Sequence, residues 1–272
     1  MALETAHSFG RDGHLAGIVS RPAEGPTSDL AVVFPNAGLT HHVGPWQLHV
    51  HLARHLAAAG VPALRFDLSG LGDSALPEQR ESVTTRTTAD IHDAIDLVST
   101  ECGARHIVMA GLCSGAIESH RAALTEERVC GVVLLDPPAY GDRLYHVIRW
   151  AERVLNPARA FRFLRRKLHE SQGKVEKPDP ANQPEPYRPM SAEEFAAQIE
   201  TASLRGVDYL FCYSGNEDYK HRRQLFSILT PSTPHERITV FHYRNLDHTP
   251  VLMEDRRIIA DTLLQWLQGK ML

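Results

Sequence analysis

The residues from 106 to about 124 limit the possible folds more than any other part of this sequence. An apolar run at 106–110 predicts a buried strand, and a helical pattern follows that ends near 124. The turn between them reads Gly111-Leu112-Cys113-Ser114-Gly115. So tight a turn leaves room only for small residues at its two ends, which explains both glycines. The pattern therefore predicts a strand–turn–helix unit with the side chain of residue 113 projecting at the start of the helix.

Strands and helices alternate on both sides of this turn. Residues 4–9 and 14–20 are predicted to be two strands joined by the tight turn Gly10-Arg11-Asp12-Gly13. Apolar runs predict further strands at 30–34, 61–66, 129–135, 207–213 and 237–243. Helical spacing of apolar residues predicts helices near 48–56 and at 84–100, 219–229 and 251–268. Such alternation favours a mostly parallel central sheet flanked by helices on both faces, which is an α/β fold.

The alternation stops after Pro137-Pro138 and resumes at about 206. We therefore interpret 1–140 and 206–272 as two parts of one α/β core. The segment 141–205 is predicted to be a helical cap inserted after one strand, because no buried strand is visible within it.

The predicted cap has three parts of different character. Residues 143–167 look helical and carry eight Lys and Arg side chains against one acid. Residues 171–190 hold five prolines and almost no aliphatic side chains, so we expect a loop there. A capping box beginning at Ser191 predicts the start of a short helix that ends near Gly206.

Composition excludes several classes of protein. The net charge of −4, from 29 basic and 33 acidic residues, argues against a general nucleic-acid-binding protein. The four cysteines are far apart and form no Cys-x-x-Cys pair, which argues against a zinc ribbon and a disulfide framework. No apolar run approaches the roughly 20 residues that cross a bilayer, and no signal peptide is visible. We expect a reduced, cytoplasmic protein without a transmembrane segment or a nucleic-acid partner.

Cys113 stands at the centre of the glycine-flanked turn, which has the pattern of a nucleophile elbow. A turn centred on Ser114 would need glycine at 112, where the sequence has leucine. A helix N-terminus favours negative charge, and a thiol there beside a histidine ionises more easily than a free thiol. Cys113 is therefore the candidate nucleophile. The alternative is a packing turn in which Cys113 is a small buried side chain.

Three further stretches accompany the elbow, namely Phe34-Pro35-Asn36-Ala37-Gly38, Val43-Gly44-Pro45 and Leu64-Arg65-Phe66-Asp67-Leu68-Ser69-Gly70-Leu71-Gly72-Asp73-Ser74. With them the chain resembles the α/β-hydrolase superfamily along nearly its whole length. It looks closest to the serine-aminopeptidase-like hydrolases found with exosortase systems and biosynthetic clusters. Most members carry serine at the elbow, and a cysteine there resembles dienelactone hydrolases and polyhydroxyalkanoate synthases.

The resemblance implies the order nucleophile, acid, histidine along the chain. His248, after the last strand and before the last helix, is the expected base, and its rival His242 falls inside the strand. The acid is expected after the penultimate strand, where Asp218 is favoured over the adjacent Glu217. Asp136, at the end of the preceding strand, is the main alternative, because some members place the acid there.

The same resemblance implies an oxyanion hole made of two backbone amides. One belongs to Ser114, which follows the nucleophile. The other belongs to Leu39, in the loop where relatives show His-Gly-x. His41 and His42 lie close to this loop in the sequence and are candidates to line the pocket.

No cofactor and no metal is predicted. The stretch Gly70-Leu71-Gly72-Asp73-Ser74-Ala75 imitates a dinucleotide fingerprint, but a true fingerprint opens a helix at once and a polar, proline-containing stretch follows here. His51 and His55 lie four apart on a predicted helix. They lack the glutamate of His-Glu-x-x-His and a third ligand nearby, so a solvated helix face is favoured.

These residues together predict acyl-group chemistry through a covalent cysteinyl thioester. Water as the acceptor would make the protein a thioesterase or esterase, and an amine or alcohol would make it an acyltransferase. The expected partner is a small-molecule acyl substrate. The alternatives are a non-covalent ligand-binding protein and a triad that serves cyclisation or lyase chemistry.

The basic segment 143–167 leaves two interpretations open. It is either the solvated face of an amphipathic lid helix or a docking surface for coenzyme A or an acyl carrier protein. In either case Trp150, Phe161 and Phe163 are candidates to line the path of an acyl chain.

Overall fold

The computed structural model describes residues 2–78, 81–155, 190–215 and 218–271. Within these ranges one sheet contains eight strands. They are β1 (Ala2–Phe9), β2 (Leu15–Pro22), β3 (Leu30–Phe34), β4 (Ala63–Phe66), β5 (His106–Leu112), β6 (Val129–Leu135), β7 (Asp208–Tyr213) and β8 (Ile238–His242). The α-helices in the same ranges are α1 (Leu48–Ala58), α2 (Val83–Cys102), α3 (Ser114–Thr125), α4 (Arg143–Leu155), α5 (Ala192–Leu204) and α6 (Met253–Lys270).

The strands lie in the order β1-β2-β4-β3-β5-β6-β7-β8. β1 and β2 form an antiparallel hairpin, and β2 also runs antiparallel to β4. From β4 to β8 every neighbouring pair is parallel, which confirms the predicted mostly parallel sheet. The carboxyl ends of parallel strands meet at one edge of a sheet, and ligands usually bind there.

Helices cover both faces of the sheet. α1 and α6 pack on one face through side chains such as Leu52 and Leu263. α2, α3 and α5 pack on the other face through side chains such as Ile95 and Phe195. Every residue of β3 and β4 is buried in consequence, as expected for continuous apolar runs between two helical layers.

The prediction of a helix at 219–229 is wrong. The structure has only a short 3₁₀ turn there, Leu225–Ser227. The side-chain amide of Gln224 donates hydrogen bonds to the carbonyl oxygens of Tyr140 and Asp218, and its oxygen accepts one from the amide of Lys220. Such side-chain bonds compete with helical bonds for the backbone groups, and tertiary contacts therefore override the helical pattern.

The predicted cap contributes α4 and α5 to the described structure. Ser191 caps α5, because its hydroxyl accepts a hydrogen bond of 3.1 Å from the amide of Glu194. The basic positions beyond α4, the aromatic residues Phe161 and Phe163, and all of the predicted loop except Met190 lie outside the described residues. Among the described helices, none is long and apolar enough to cross a membrane.

Candidate active site

The predicted strand–turn–helix unit is formed by β5, Cys113 and α3. Cys113 has φ 57° and ψ −114°, a strained conformation for a non-glycine residue. A Cβ atom at Gly111 would overlap the carbonyl oxygen of Gly115, and one at Gly115 would overlap the carbonyl oxygen of Asn36. Both glycines are therefore required by close backbone approach, and they force the side chain of Cys113 outward.

The Cys113 thiol is exposed and lies in the same cleft as His248. Hydrogen bonding to the His248 side chain is the main reason why the pKa of the thiol lies below its ordinary value, and the positive charge of His248 and the backbone amide of Ser114 lower it further. Burial acts in the opposite direction but is outweighed. Cys113 is thus the kind of cysteine that is reactive, a partly exposed thiol in an electropositive surrounding.

His248 lies in the loop between β8 and α6. Nδ1 donates a hydrogen bond of 2.9 Å to Oδ2 of Asp136, and the ring lines the same cleft as the Cys113 thiol. The bond to Asp136 is the largest cause that raises the pKa of His248 to about 10, followed by the bond to Cys113. The shifts of the two groups have the same sense, because each favours the ion pair of a thiolate and an imidazolium over the neutral pair.

Asp136 follows β6 directly and is buried. Ser214, which follows β7, donates to both carboxylate oxygens. Its amide lies 2.6 Å from Oδ1 and its hydroxyl 2.5 Å from Oδ2. These bonds hold the carboxylate in one orientation toward His248.

The structure does not place Asp218 where the sequence argument put it. The carboxylate that orients His248 is Asp136, the alternative, whereas the side chain of Asp218 is 69% exposed and lies 4.0 Å from Nη1 of Arg149. Asp136 follows β6, which pairs with β7, and Ser214 at the end of β7 donates to its carboxylate. His242, the rival base, packs edge-on against the ring of Tyr219 instead.

The loop after β3 reaches the elbow from the other side. The amide of Gly38, a residue with φ +61°, donates a hydrogen bond of 2.7 Å to the hydroxyl of Ser114. Leu39, the next residue, is 88% exposed. Of the two residues whose amides were predicted to form the oxyanion hole, Ser114 lines the cleft at Cys113, and Leu39 follows the residue that binds Ser114 but is not among the lining residues.

A cleft of about 540 Å³ opens at Cys113. The polar groups Ser114, Asp136, Asp218 and His248 line it together with an apolar wall that contains Ile117, Pro137, Pro138 and Ala139. The cleft thus combines an exposed thiol and a few polar groups with an apolar surface, a composition typical of small-molecule sites.

A second group of polar residues supports the loop after β3, and sequence reasoning did not connect its members. The ligand-type atoms of His41, His42, Asp67 and Asp73 lie within 4.8 Å of one another. His42 binds Asp67 at 2.7 Å and His41 binds Asp73 at 2.9 Å, so hydrogen bonds within the group already account for its geometry. His41 and His42 are not among the residues that line the cleft.

The rejected motifs have other structural roles. His55 lies 3.2 Å from Asp261 across the contact between α1 and α6. After Gly72 no helix begins within the described residues 73–78, so the turn is not followed directly by the helix N-terminus that binds a dinucleotide phosphate.

Residues 32–268 match the model of the alpha/beta hydrolase family. The chain therefore belongs to the α/β-hydrolase family, and its fold is the α/β-hydrolase fold that the sequence predicted. A search of curated protein sequences gave no match.

Solved structures of the same fold include an alpha-beta serine hydrolase homologue from Coxiella burnetii, with a TM-score of 0.59, 14% identity and 97% coverage of each chain. The esterase Pf2001 from Pyrococcus furiosus gives a TM-score of 0.61 and 14% identity, over 100% of this chain and 91% of the esterase. An esterase domain from Rhodothermus marinus gives 0.58 and 15%, over 99% of both chains.

Proposed function

We propose that the protein is an acyl-transfer enzyme with a Cys113–His248–Asp136 triad. It would hydrolyse or transfer the acyl group of an ester or thioester through a cysteinyl thioester. The observation that carries the proposal is that an exposed elbow thiol shares one cleft with His248, whose ring binds the buried carboxylate of Asp136 at 2.9 Å. The same three roles define a catalytic triad on any fold.

In the first half-reaction the Cys113 thiolate attacks the substrate carbonyl carbon, and the carbonyl electrons move to the oxygen. The backbone amides of Ser114 and Leu39 donate hydrogen bonds to this oxyanion. A donor of this kind is worth about 3 kcal/mol in the transition state. The intermediate then collapses to the thioester, and the leaving thiolate or alkoxide takes the proton of His248.

In the second half-reaction neutral His248 accepts a proton from water, an amine or an alcohol as that acceptor attacks the thioester. A second tetrahedral intermediate expels the Cys113 thiolate and releases the acid, amide or ester. Asp136 accepts the Nδ1 hydrogen bond of His248 throughout, so it fixes the tautomer and stabilises the imidazolium. We assign this role to Asp136 in place of Asp218.

The apolar wall of the cleft supports an acyl group as the part of the substrate that is bound. The thioester intermediate itself favours amines as acceptors, since thioesters react with amines more readily than oxyesters do. The closer likeness to serine-aminopeptidase-like and exosortase-associated hydrolases, and coenzyme A or an acyl carrier protein as the acyl carrier, stay predictions that rest on the sequence.

Intact-protein mass spectrometry tests the proposal. The wild-type protein is mixed with short, long and aromatic acyl thioesters, and Cys113→Ala, His248→Ala and Cys102→Ala are treated in parallel. Cys102 is a half-buried cysteine whose pKa burial raises, so Cys102→Ala is the matched control. We expect an acyl adduct in the wild type and in Cys102→Ala, none in Cys113→Ala, and slow formation in His248→Ala.

Two outcomes contradict the proposal. Turnover that survives in Cys113→Ala would point to the cyclisation or lyase interpretation, in which no acyl group is carried by the cysteine. Binding of the thioesters without adduct or turnover in any variant would point to a ligand-binding protein. When an adduct forms, its decay in buffer alone and in buffer with amines distinguishes a hydrolase from an acyltransferase.

A further inference from the structure

The side chain of Ser114 makes a contact that its proposed role as an amide donor does not require. Ser114 is the first residue of α3, and its hydroxyl oxygen accepts a hydrogen bond of 2.7 Å from the amide of Gly38. This bond joins the nucleophile elbow to the loop after β3, 76 residues away in the sequence. The serine is exposed toward the cleft, so packing does not explain its contact with the loop.

The base of the loop after β3 is held by hydrogen bonds of the Asn36 side chain. The side-chain amide of Asn36 donates to the carbonyl oxygen of Thr40 at 2.7 Å and to Oδ1 of Asp67 at 2.6 Å. Its oxygen accepts a hydrogen bond from the amide of Leu68. These bonds close the turn formed by residues 37–40 and tie its base to the segment that follows β4.

The side chain at the tip of the loop does little to hold it against the elbow. The side chain of Leu39 is 88% exposed and therefore supplies almost no apolar packing. Gly38 has φ +61° and no side chain, so its backbone is the part that can be held. The Gly38–Ser114 hydrogen bond uses the amide immediately before Leu39, and it leaves the Leu39 amide for the substrate.

We propose that the Ser114 hydroxyl is a positioning residue for the oxyanion hole: by binding the Gly38 amide it holds the neighbouring Leu39 amide at the elbow. This inference rests on the proposed function, because it assigns the Leu39 amide to the oxyanion. A preorganised donor stabilises the transition state because it does not have to reorient during the reaction. Without the hydroxyl, the Leu39 amide could still donate a hydrogen bond, but its position would no longer be fixed.

Three variants test the inference. Ser114→Ala removes the hydroxyl, and Ser114→Thr restores it at the same position. Ser82→Ala removes a different hydroxyl that also accepts a backbone hydrogen bond, from Thr85 at the start of α2, and it is the matched structural control. The rate constant of Cys113 acylation by a saturating acyl thioester is measured in single turnovers together with KM.

We expect Ser114→Ala to slow acylation by roughly 10- to 100-fold with KM changed less than about threefold. Ser114→Thr should recover most of the rate, and Ser82→Ala should keep all of it. Alkylation of Cys113 by iodoacetamide provides a second readout, because displacement of iodide forms no oxyanion. Its rate should be the same in the wild type and in Ser114→Ala.

A third readout needs no substrate. Hydrogen exchange of the amide of Gly38 should become faster in Ser114→Ala than in the wild type, because its acceptor is gone. Unchanged exchange would overturn the inference even if no acyl donor is found.

The outcomes separate the inference from the proposed function. A wild-type protein that is alkylated by iodoacetamide but never acylated contradicts the proposed function, and with it the role of Leu39. If the wild type and Ser114→Ala are acylated at the same rate, only the inference about Ser114 is contradicted. Equal slowing of acylation and alkylation in Ser114→Ala also overturns it, because the variant would then disturb the thiolate rather than the oxyanion hole.

Discussion

Oδ2 of Asp136 lies 2.9 Å from Nδ1 of His248, although 112 residues separate the two in the chain. Asp136 is placed by the end of β6, and His248 by the loop after β8. Ser214, at the end of the intervening β7, binds both oxygens of Asp136. The ends of three neighbouring parallel strands thus position the imidazole of His248 and the carboxylate that binds it. The arrangement predicts that Asp136 is the acid on which acylation depends.

The first prediction compares the two candidate acids. Asp136→Asn should lower the acylation rate by roughly 10³- to 10⁴-fold, because the imidazolium loses its charged partner and its tautomer is no longer fixed. Asp218→Asn should change the rate by less than about threefold, since Asp218 is exposed and does not orient His248. Single-turnover acylation of Cys113 measures both effects.

Thermal unfolding of the same two variants shows whether either substitution damages the fold. If Asp218→Asn abolished acylation while Asp136→Asn kept it, the triad would be the one favoured by the sequence argument and not the one favoured by the geometry.

The second prediction concerns the ionisation of the nucleophile. The hydrogen bond from His248 lowers the pKa of the Cys113 thiol, so its alkylation by iodoacetamide should stay fast well below the ordinary thiol pKa. His248→Asn removes this bond and the nearby positive charge. The pKa of the thiol should rise, and the alkylation rate at pH 6 should fall at least tenfold.

The alkylation rate is measured from pH 5 to pH 10. At the alkaline end the two proteins should approach each other, because the thiol is then ionised in both. Identical profiles would mean that His248 does not act on the thiol.

The third prediction tests the two glycines of the elbow. Gly111→Ala and Gly115→Ala each place a methyl group against a backbone carbonyl oxygen, which cannot move aside like the end of a flexible side chain. We expect each to lower the free energy of unfolding by about 2 kcal/mol or more. Chemical denaturation measures the loss.

Gly269, near the end of α6, is the matched control because a Cβ atom there meets nothing within 4 Å. Gly269→Ala should leave stability unchanged or raise it by up to about 1 kcal/mol. Equal stabilities of all three variants would show that the elbow is looser than the close approach of its backbone indicates.

The fourth prediction concerns acid stability. Burial lowers the pKa of His49 from 6.5 to about 4. Between pH 6.5 and pH 4, His49 is therefore protonated in the unfolded chain but neutral in the folded chain. As far as His49 is concerned, the free energy of unfolding has its full value above pH 6.5 and falls as the pH drops toward 4. The contribution of His49 between pH 7 and pH 5 is about 2 kcal/mol.

His49→Leu should reduce the loss of unfolding free energy between pH 7 and pH 5, whereas substitution of the exposed His106 should leave the loss as it is in the wild type. Burial also lowers the pKa of His120 to about 4, so part of the acid sensitivity should remain in His49→Leu. A pH dependence unaffected by His49→Leu would contradict the prediction.

Most of the fold could be read from local patterns. Continuous apolar runs predicted the buried strands, and the hairpin of β1 and β2 followed from its glycine-bounded turn. The predicted helix at 219–229 does not form, because the side chain of Gln224 donates a hydrogen bond to the carbonyl oxygen of Tyr140 in a distant part of the chain. A helical pattern carries no information about such a partner.

The sequence by itself determined the elbow, since a thiol between two glycines at a strand-to-helix turn has one geometry that avoids backbone overlap. It also pointed to His248, because the order of elements leaves few late histidines outside strands. Both are consequences of local spacing and chain order.

Only the tertiary structure decided between Asp136 and Asp218, and only it linked Ser114 to Gly38. Both acids follow strands at the same edge of the sheet, so neither spacing nor residue type distinguishes them. Which carboxylate meets the imidazole depends on the lateral order of β6, β7 and β8 and on the donors of Ser214. Contacts of this kind join residues far apart in the chain, and hydrogen-bond geometry in three dimensions selects them.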